Sequence, residues 1–317
     1  MPEPAAILQM GPIGPHLDQQ LGQRGKVLRL WEAADRDAAL DGAAAGVRVV
    51  VTSVRLGCPA PLIERLPRLR AICSWGVGYE TIDVAAAKAR GIAVSNTPDV
   101  LDDCVADLAW GLLIAAARRT AAGDRYVKDG QWRAIGQFPL TTRVSGKRLG
   151  ILGLGRIGEA IARRGAGFAM DVRYHNRRER PGVPYGYESS LVQLARWADF
   201  LVVACEGGAS TRHLVSQAVI DALGAKGILV NIARGTVVDQ EAMVRALAEG
   251  RLGGAGLDVL EKEPAVPPEL LSMDQVVLMP HVGSATRETR RAMEQLVLDN
   301  VDSFLAGRGL LTPVHVG

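Results

Sequence analysis

The sequence lacks several features that would mark whole classes of protein. It has no apolar run long enough to span a bilayer; the longest, near Leu108 to Ala117, reads as a buried helix. There is no excess of one charge: 37 basic against 34 acidic side chains give +3, too little to imply a nucleic-acid partner. The four cysteines, Cys58, Cys73, Cys104 and Cys205, form no C-x-x-C pair, as expected of buried thiols in a reducing compartment. The start, with Pro2 and Glu3, carries no basic n-region of a signal peptide. Internal repeats, low-complexity tracts and charge blocks are also missing. The expectation is a soluble cytoplasmic protein with neither a membrane nor a nucleic acid as partner.

What the sequence does have is glycine, 36 residues in 317, and an alternation of short apolar runs with amphipathic stretches. That length allows two domains. Candidate strands are Ala6–Gln9, Val27–Leu30, Val47–Thr52, Arg70–Ser74 and Ile92–Ser95, with helical stretches such as Ala34–Ala45 and Val84–Ala89 between them. Pro59 and Pro61 open a helix that Pro67 stops. A second series supplies strands at Arg148–Leu152, Asp171–His175, Phe200–Ala204, Ile228–Asn231, Gly254–Asp258 and Val276–Met279. Its helices fall near Arg156–Gly167, Leu191–Trp197, Gln217–Leu223 and Glu241–Ala248, the last with Asp239 as N-cap and Gly250 beyond its end. Alternation of this kind predicts parallel sheets covered on both faces. Asp102 or Asp103 can cap a long helix up to Arg119. Residues 120–146, with Trp132 and Phe138, show no clear period and read either as ordinary loop packing or as an arm for a partner subunit. A long helix, Ala285 to Leu305, follows Pro280. The predicted domains are 1–98 plus 287–317 and an inserted 99–286.

The most informative stretch is Leu149 to Arg164. A short strand ends in Gly153-Leu154-Gly155-Arg156-Ile157-Gly158, and a helix follows. In such a turn the first glycine permits the bend, the second lets a pyrophosphate approach the backbone, and the third lets the helix pack on the strand. The helix N-terminus then presents orphan N–H groups to the phosphates. Dinucleotide binding is the reading this context supports. The carboxylate that an NAD site places at the end of the next strand is missing; Asn176-Arg177-Arg178 stands there instead. Asn176 does not repel a phosphate, and Arg177 and Arg178 can pair with one. NADP(H) is therefore expected to be preferred, with NAD(H) bound more weakly.

Three further segments close strands on the same sheet edge: Asn231 to Gly235, Asp258 to Pro264 and Pro280 to Ser284. They bring one Arg, one Glu and one His to the ends of strands beside a dinucleotide turn. Earlier in the chain Gly76-Val77-Gly78 ends a strand and offers backbone N–H groups, either as a carboxylate cradle or as a plain turn.

With these motifs the chain resembles the D-2-hydroxyacid dehydrogenase family, in its NADPH-dependent glyoxylate, hydroxypyruvate and hydroxyphenylpyruvate reductase branch. The resemblance spans nearly the whole length and includes Thr81-Ile82-Asp83, Asn96-Thr97-Pro98, Ser145 to Arg148 and Gly253 to Val259. It implies an α/β fold of two doubly wound parallel-sheet domains, a flavodoxin-like substrate domain and a Rossmann cofactor domain, with the active site in the cleft between them. It implies a homodimer, through residues about 100–145. His281 would be the general acid, Glu263 would fix its tautomer and stabilise positive charge on its ring, and Arg234 would hold the substrate carboxylate and polarise the carbonyl. Trp75, Gly76, Val77 and Gly78 would complete the substrate site. Besides the glycine turn and Asn176 to Arg178, the cofactor would meet Val105, Cys205, Thr211, Ile232, Ala233, Arg234, Asp258, His281 and Gly283. No metal is required. His175 and His213 have no catalytic match. The chain departs from the family pattern at Tyr79-Glu80 and at Cys205 to Gly208. Reduction of glyoxylate and hydroxypyruvate is the activity implied; aryl pyruvates or keto-sugar acids are alternatives that differ in the room near Val54, Leu56, Trp75 and Tyr79. A dinucleotide-sensing corepressor of the same fold is a different class, disfavoured by the intact Arg234, Glu263 and His281.

Overall fold

A computed structural model describes residues 7–314. The chain divides into two compact units, 1–101 with 285–317, and 102–284.

The first unit alternates strand and helix: β1 (Ile7–Gln9), α1 (Pro15–Leu21), β2 (Val27–Arg29), α2 (Arg36–Ala43), β3 (Val49–Ser53), α3 (Ala60–Arg65), β4 (Ala71–Trp75), α4 (Val84–Ala89) and β5 (Ala93–Ser95). Its sheet is parallel, in the order β2-β1-β3-β4-β5. β3 is buried along its whole length, so an uninterrupted Val-rich run rather than strict alternation is its signature. Leu8, Val50, Ile63 and Ile72 anchor one apolar cluster, and Ile7, Val49, Val51 and Val301 another. α2 is shorter than periodicity suggested, because the Asp35 side chain accepts from the Ala38 amide and fixes the start. The candidate strand at Ala6–Gln9 begins one residue outside the described segment.

The second unit opens with α5 (Asp102–Arg118), α6 (Thr120–Lys128) and α7 (Gln131–Ile135). It continues with β6 (Arg148–Leu152), α8 (Arg156–Gly165), β7 (Asp171–His175), β8 (Gly186–Tyr187), α9 (Leu191–Trp197), β9 (Phe200–Val203), α10 (Gln217–Leu223), β10 (Ile228–Asn231), α11 (Gln240–Ala248), β11 (Gly254–Leu257) and β12 (Val276–Leu278). The sheet runs β12-β11-β10-β9-β6-β7-β8, again parallel. The strand order reverses around β6 and β9, so a crevice opens at the carboxyl end of β6, where ligands of such sheets bind. Asp102 and Asp103 both lie in the first turn of α5, where their charge favours the positive end of the helix. The stretch 120–146 holds α6 and α7; α6 buries only Ala122, with Tyr126 half-buried, and the apolar residues of α7 are exposed, so the apolar stripe is thin.

The chain returns to the first unit in α12 (Arg287–Leu305), capped by the Thr286 hydroxyl. Its Glu294 is buried, and its carboxylate accepts from the Leu17 amide at 2.7 Å, at the open N-terminus of α1. Among the described residues no helix is long and apolar enough to cross a membrane.

Candidate active site

The glycine turn of the second unit has the geometry its spacing calls for. Gly153 adopts φ +97°, and a Cβ there would sit 2.5 Å from the Cys205 backbone. At Gly158 a Cβ would lie 2.1 Å from the Gly153 carbonyl oxygen. Gly155 differs: a Cβ there would meet nothing within 4 Å, so the space above it is open. Two of the glycines are thus dictated by packing, and the middle one guards an empty approach to the N-terminus of α8, as a pyrophosphate would need.

The end of β7 is tied to this turn. The Gly153 amide donates to the His175 carbonyl at 2.9 Å, and the Leu154 amide donates to Asn176 Oδ1 at 2.7 Å. Asn176 thereby holds the turn in register with β7. Arg180 pairs with Glu159 at 2.7 Å and reaches the Leu154 carbonyl at 3.3 Å. Arg177 and Arg178 are exposed and have no ion pair among the described residues. The basic turn therefore splits into one arginine used structurally and two left for an anion.

At the carboxyl end of β9, the Cys205 to Gly208 loop is shaped by close approaches. A Cβ on Gly207 would lie 2.4 Å from Arg234 Cγ, so the aliphatic stem of Arg234 rests on that glycine. Thr211 Oγ1 donates to the Glu206 carbonyl at 2.9 Å and closes the loop. Burial pushes the Cys205 thiol up to about 11. At this departure from the family pattern, glycine leaves room for the arginine. The glycine pair itself was the available signal.

Arg234 follows β10. Its loop is held from within, since Asn231 Oδ1 accepts from the Ala233 amide and Asn231 Nδ2 donates to the Arg234 carbonyl, both at 3.0 Å. Ile232 and Ala233 are buried beneath it.

His281 lies after β12 with φ +56°, a backbone state uncommon for a non-glycine residue. Its anchor is Asp258, 2% exposed at the end of β11. The Asp258 carbonyl accepts from the His281 amide at 2.8 Å. The two carboxylate oxygens accept from the Val282 and Gly283 amides at 2.7 and 2.8 Å. Val105 borders Gly283. Asp258, expected among the cofactor contacts, thus sets the course of the histidine loop. His281 Nδ1 lies 2.7 Å from Glu263 Oε2, and Glu263 Oε1 accepts from the Leu260 amide at 3.2 Å. The imidazole and carboxylate are each about one-third exposed. With Nδ1 turned to the carboxylate, Nε2 is the nitrogen left to act.

In the first unit, Gly76-Val77-Gly78 leaves β4 through Gly76 at φ +111°. Thr97 holds Gly76 on both sides: its Oγ1 accepts from the Gly76 amide at 3.0 Å, and its amide donates to the Gly76 carbonyl at 2.9 Å. Asn96 Nδ2 donates to the Val77 carbonyl at 2.8 Å. Among the described residues the N–H groups of Val77 and Gly78 find no acceptor, as a cradle for a carboxylate requires. The Arg290 guanidinium stacks over Trp75 at 4.4 Å. Tyr79 packs against the core of the first unit, so its bulk is directed inward.

Similarity to known proteins agrees with this geometry. Residues 110–283 match the D-isomer specific 2-hydroxyacid dehydrogenase, NAD binding domain. The chain is 48% identical over 312 residues to a glyoxylate/hydroxypyruvate reductase A of Arabidopsis thaliana, covering 98% of this chain and 99% of that protein. It is 48% identical over 313 residues to the hydroxyphenylpyruvate reductase of Plectranthus scutellarioides, with the same coverage. Among solved structures, the NADPH-dependent glyoxylate/hydroxypyruvate reductase of Sinorhizobium meliloti, in complex with NADP and malonate, superposes with a TM-score of 0.91 at 42% identity, covering 97% and 96% of the two chains. The strand-end constellation and these likenesses place the chain in the D-isomer specific 2-hydroxyacid dehydrogenase family.

Proposed function

We propose that this protein reduces small 2-oxo acids, glyoxylate and hydroxypyruvate first, to D-2-hydroxy acids with NADPH. The observation that carries the reading is the His281–Glu263 pair at the carboxyl ends of β11 and β12, on the same sheet edge as the glycine turn after β6, with Arg234 on the loop after β10.

The cofactor would lie along Gly153, Leu154, Gly155, Arg156, Ile157 and Gly158, its pyrophosphate over the open face of Gly155. Its 2′-phosphate would pair with Arg177 and Arg178, which is the basis for NADP(H) over NAD(H). When bound, the reduced nicotinamide supplies a hydride to the 2-oxo carbon. Arg234 binds the substrate carboxylate and draws negative charge onto the carbonyl oxygen. His281 Nε2 gives that oxygen its proton, while Nδ1 stays hydrogen-bonded to Glu263, which fixes the ring and compensates its positive charge. In the first unit, the Val77 and Gly78 amides, which find no acceptor among the described residues, are donors suited to a carboxylate. Val105, Cys205, Thr211, Ile232, Ala233, Asp258 and Gly283 shape the walls and loops around the cofactor. The active species is a cytoplasmic homodimer joined through residues about 100–145.

Reduction of aryl pyruvates is the second reading, favoured by the equal identity to the Plectranthus scutellarioides reductase. NADPH oxidation followed by absorbance across glyoxylate, hydroxypyruvate, hydroxyphenylpyruvate and 2-ketogluconate decides between them. The highest kcat/KM on glyoxylate or hydroxypyruvate is the expected result; no turnover with any of the four would overturn the proposal.

A further inference from the structure

A second histidine–carboxylate pair lies near the first. Glu261, two residues before Glu263, is mostly buried, and its Oε1 lies 3.1 Å from His213 Nε2 and 3.0 Å from Arg212 Nη2. The Glu261 amide donates to Gln240 Oε1 at 3.0 Å. His213 itself has φ +50°, and its amide donates to the Thr236 carbonyl at 2.8 Å.

These contacts join three loops that follow adjacent strands. Arg212 and His213 belong to the loop after β9, Thr236 to that after β10, and Glu261 to that after β11. The join falls where it matters. A Cβ on Gly235 would overlap the Leu260 carbonyl carbon at 1.9 Å, so the 260–261 peptide lies directly on the residue after Arg234. The Leu260 amide, in the preceding 259–260 peptide, holds Glu263. The two peptide planes that meet at Leu260 therefore bear on the arginine loop and on the carboxylate behind His281, and Gln240 pins the 260–261 plane through the Glu261 amide. A shift of Leu260 therefore moves Arg234 and Glu263 together.

We propose that Arg212, His213 and Glu261 are positioning residues of the reaction, a three-loop clamp that sets the angle of Arg234 and the reach of Glu263. The inference rests on the roles given above to Arg234, Glu263 and His281. The clamp makes no contact with Arg177 or Arg178 or with the glycine turn, so its loss should lower kcat far more than it raises the KM for NADPH. Misplacement of a reacting group by about 1 Å costs on the order of 100-fold in rate.

The test is steady-state kinetics of the full-length chain with NADPH and the best 2-oxo acid, alongside thermal melting. His213→Ala should lower kcat at least tenfold while the KM for NADPH stays within about twofold, as loss of pre-organisation dictates. His213→Gln, which restores a side-chain N–H donor at the same strained backbone position, should recover most of kcat. Equal kcat losses for Ala and Gln, or full kcat for His213→Ala, would overturn the clamp. Should His213→Ala not fold, Arg212→Ala decides, since that guanidinium is more than half exposed: a lowered kcat with unchanged NADPH KM supports the clamp, and unchanged kcat overturns it. His281→Ala run in the same assay separates the two levels, because turnover surviving that change would defeat the catalytic assignment and not the clamp alone.

Discussion

His281 Nδ1 and Glu263 Oε2, from loops after different strands, meet at 2.7 Å. The short contact commits Nδ1 to the carboxylate and leaves Nε2 as the other ring nitrogen. If His281 delivers the proton, His281→Ala should abolish turnover while NADPH still binds, as followed by the fluorescence of the bound nicotinamide. Glu263→Gln keeps an acceptor but removes the negative charge, and should cost kcat about 100-fold, within the usual range for general acid catalysis. Turnover within twofold of the parent for either variant would remove the pair from the mechanism.

Arg177 and Arg178 make no ion pair among the described residues, whereas Arg180 is committed to Glu159. Replacing both with alanine should therefore weaken NADPH and leave NADH nearly unaffected. One lost phosphate contact of about 1.4 kcal/mol corresponds to tenfold in affinity, so the ratio of the two KM values should shift by at least that factor. Equal effects on both cofactors would place the 2′-phosphate elsewhere. Arg180→Ala should instead lower stability, because it loosens Leu154 and Glu159.

The three glycines of the turn should separate on substitution. Gly158→Ala drives a Cβ into the Gly153 carbonyl oxygen and should cost several kcal/mol of stability, as overpacking of a rigid site does. Gly155→Ala meets nothing within 4 Å, and its φ of −90° suits any residue. It should melt like the parent yet lose cofactor affinity. Normal NADPH binding by Gly155→Ala would mean that the pyrophosphate lies off this turn.

Much of this was legible in the sequence because it is local. The strand, turn and helix around Gly153 to Gly158 follow from glycine conformation and a 3.6-residue period, and both fall where expected. The Asp239 cap of α11 is likewise a short-range signal. The clamp was not legible: His213 and Glu261 are 48 residues apart, and no periodicity couples them. Asp258 reads as a strand-end acid, and only the fold shows its carboxylate directing the histidine loop 24 residues on. α6 and α7 escaped because most of their apolar residues are exposed, so the buried stripe of α6 is short and α7 has none.

Asp199 offers a pH test of the sheet. Burial pushes its carboxyl up, but the Arg148 amide and guanidinium, at 2.9 and 3.1 Å, outweigh that and hold it below the usual carboxylate range. A group lowered in the folded state contributes stability above its unfolded pKa and loses it as pH falls through the folded value. Asp199→Asn should thus melt below the parent at pH 7, by no more than about 1 kcal/mol because solvent screens the pair. The gap should narrow as pH drops below about 4, the ordinary aspartate value. A gap independent of pH would assign the loss to packing.

The segment from α6 onward carries the last prediction. Val127, Trp132, Ile135 and Leu140 are all large, apolar and exposed, Leu140 at 91% and Ile135 at 71%. Single exposed apolar residues are ordinary, but four within a short stretch amount to a patch that water disfavours. A second copy covering it would bury these side chains at roughly 25 cal/mol per Å², enough to hold a dimer when the patch is large and self-complementary. Ile135→Asp with Leu140→Asp places two charges on that face, far from the glycine turn in sequence. Sedimentation velocity should show the parent as a dimer of 33.7 kDa chains and the double variant as a monomer. A parent that sediments as a monomer, or a variant that stays dimeric, would free this arm from the role proposed for it.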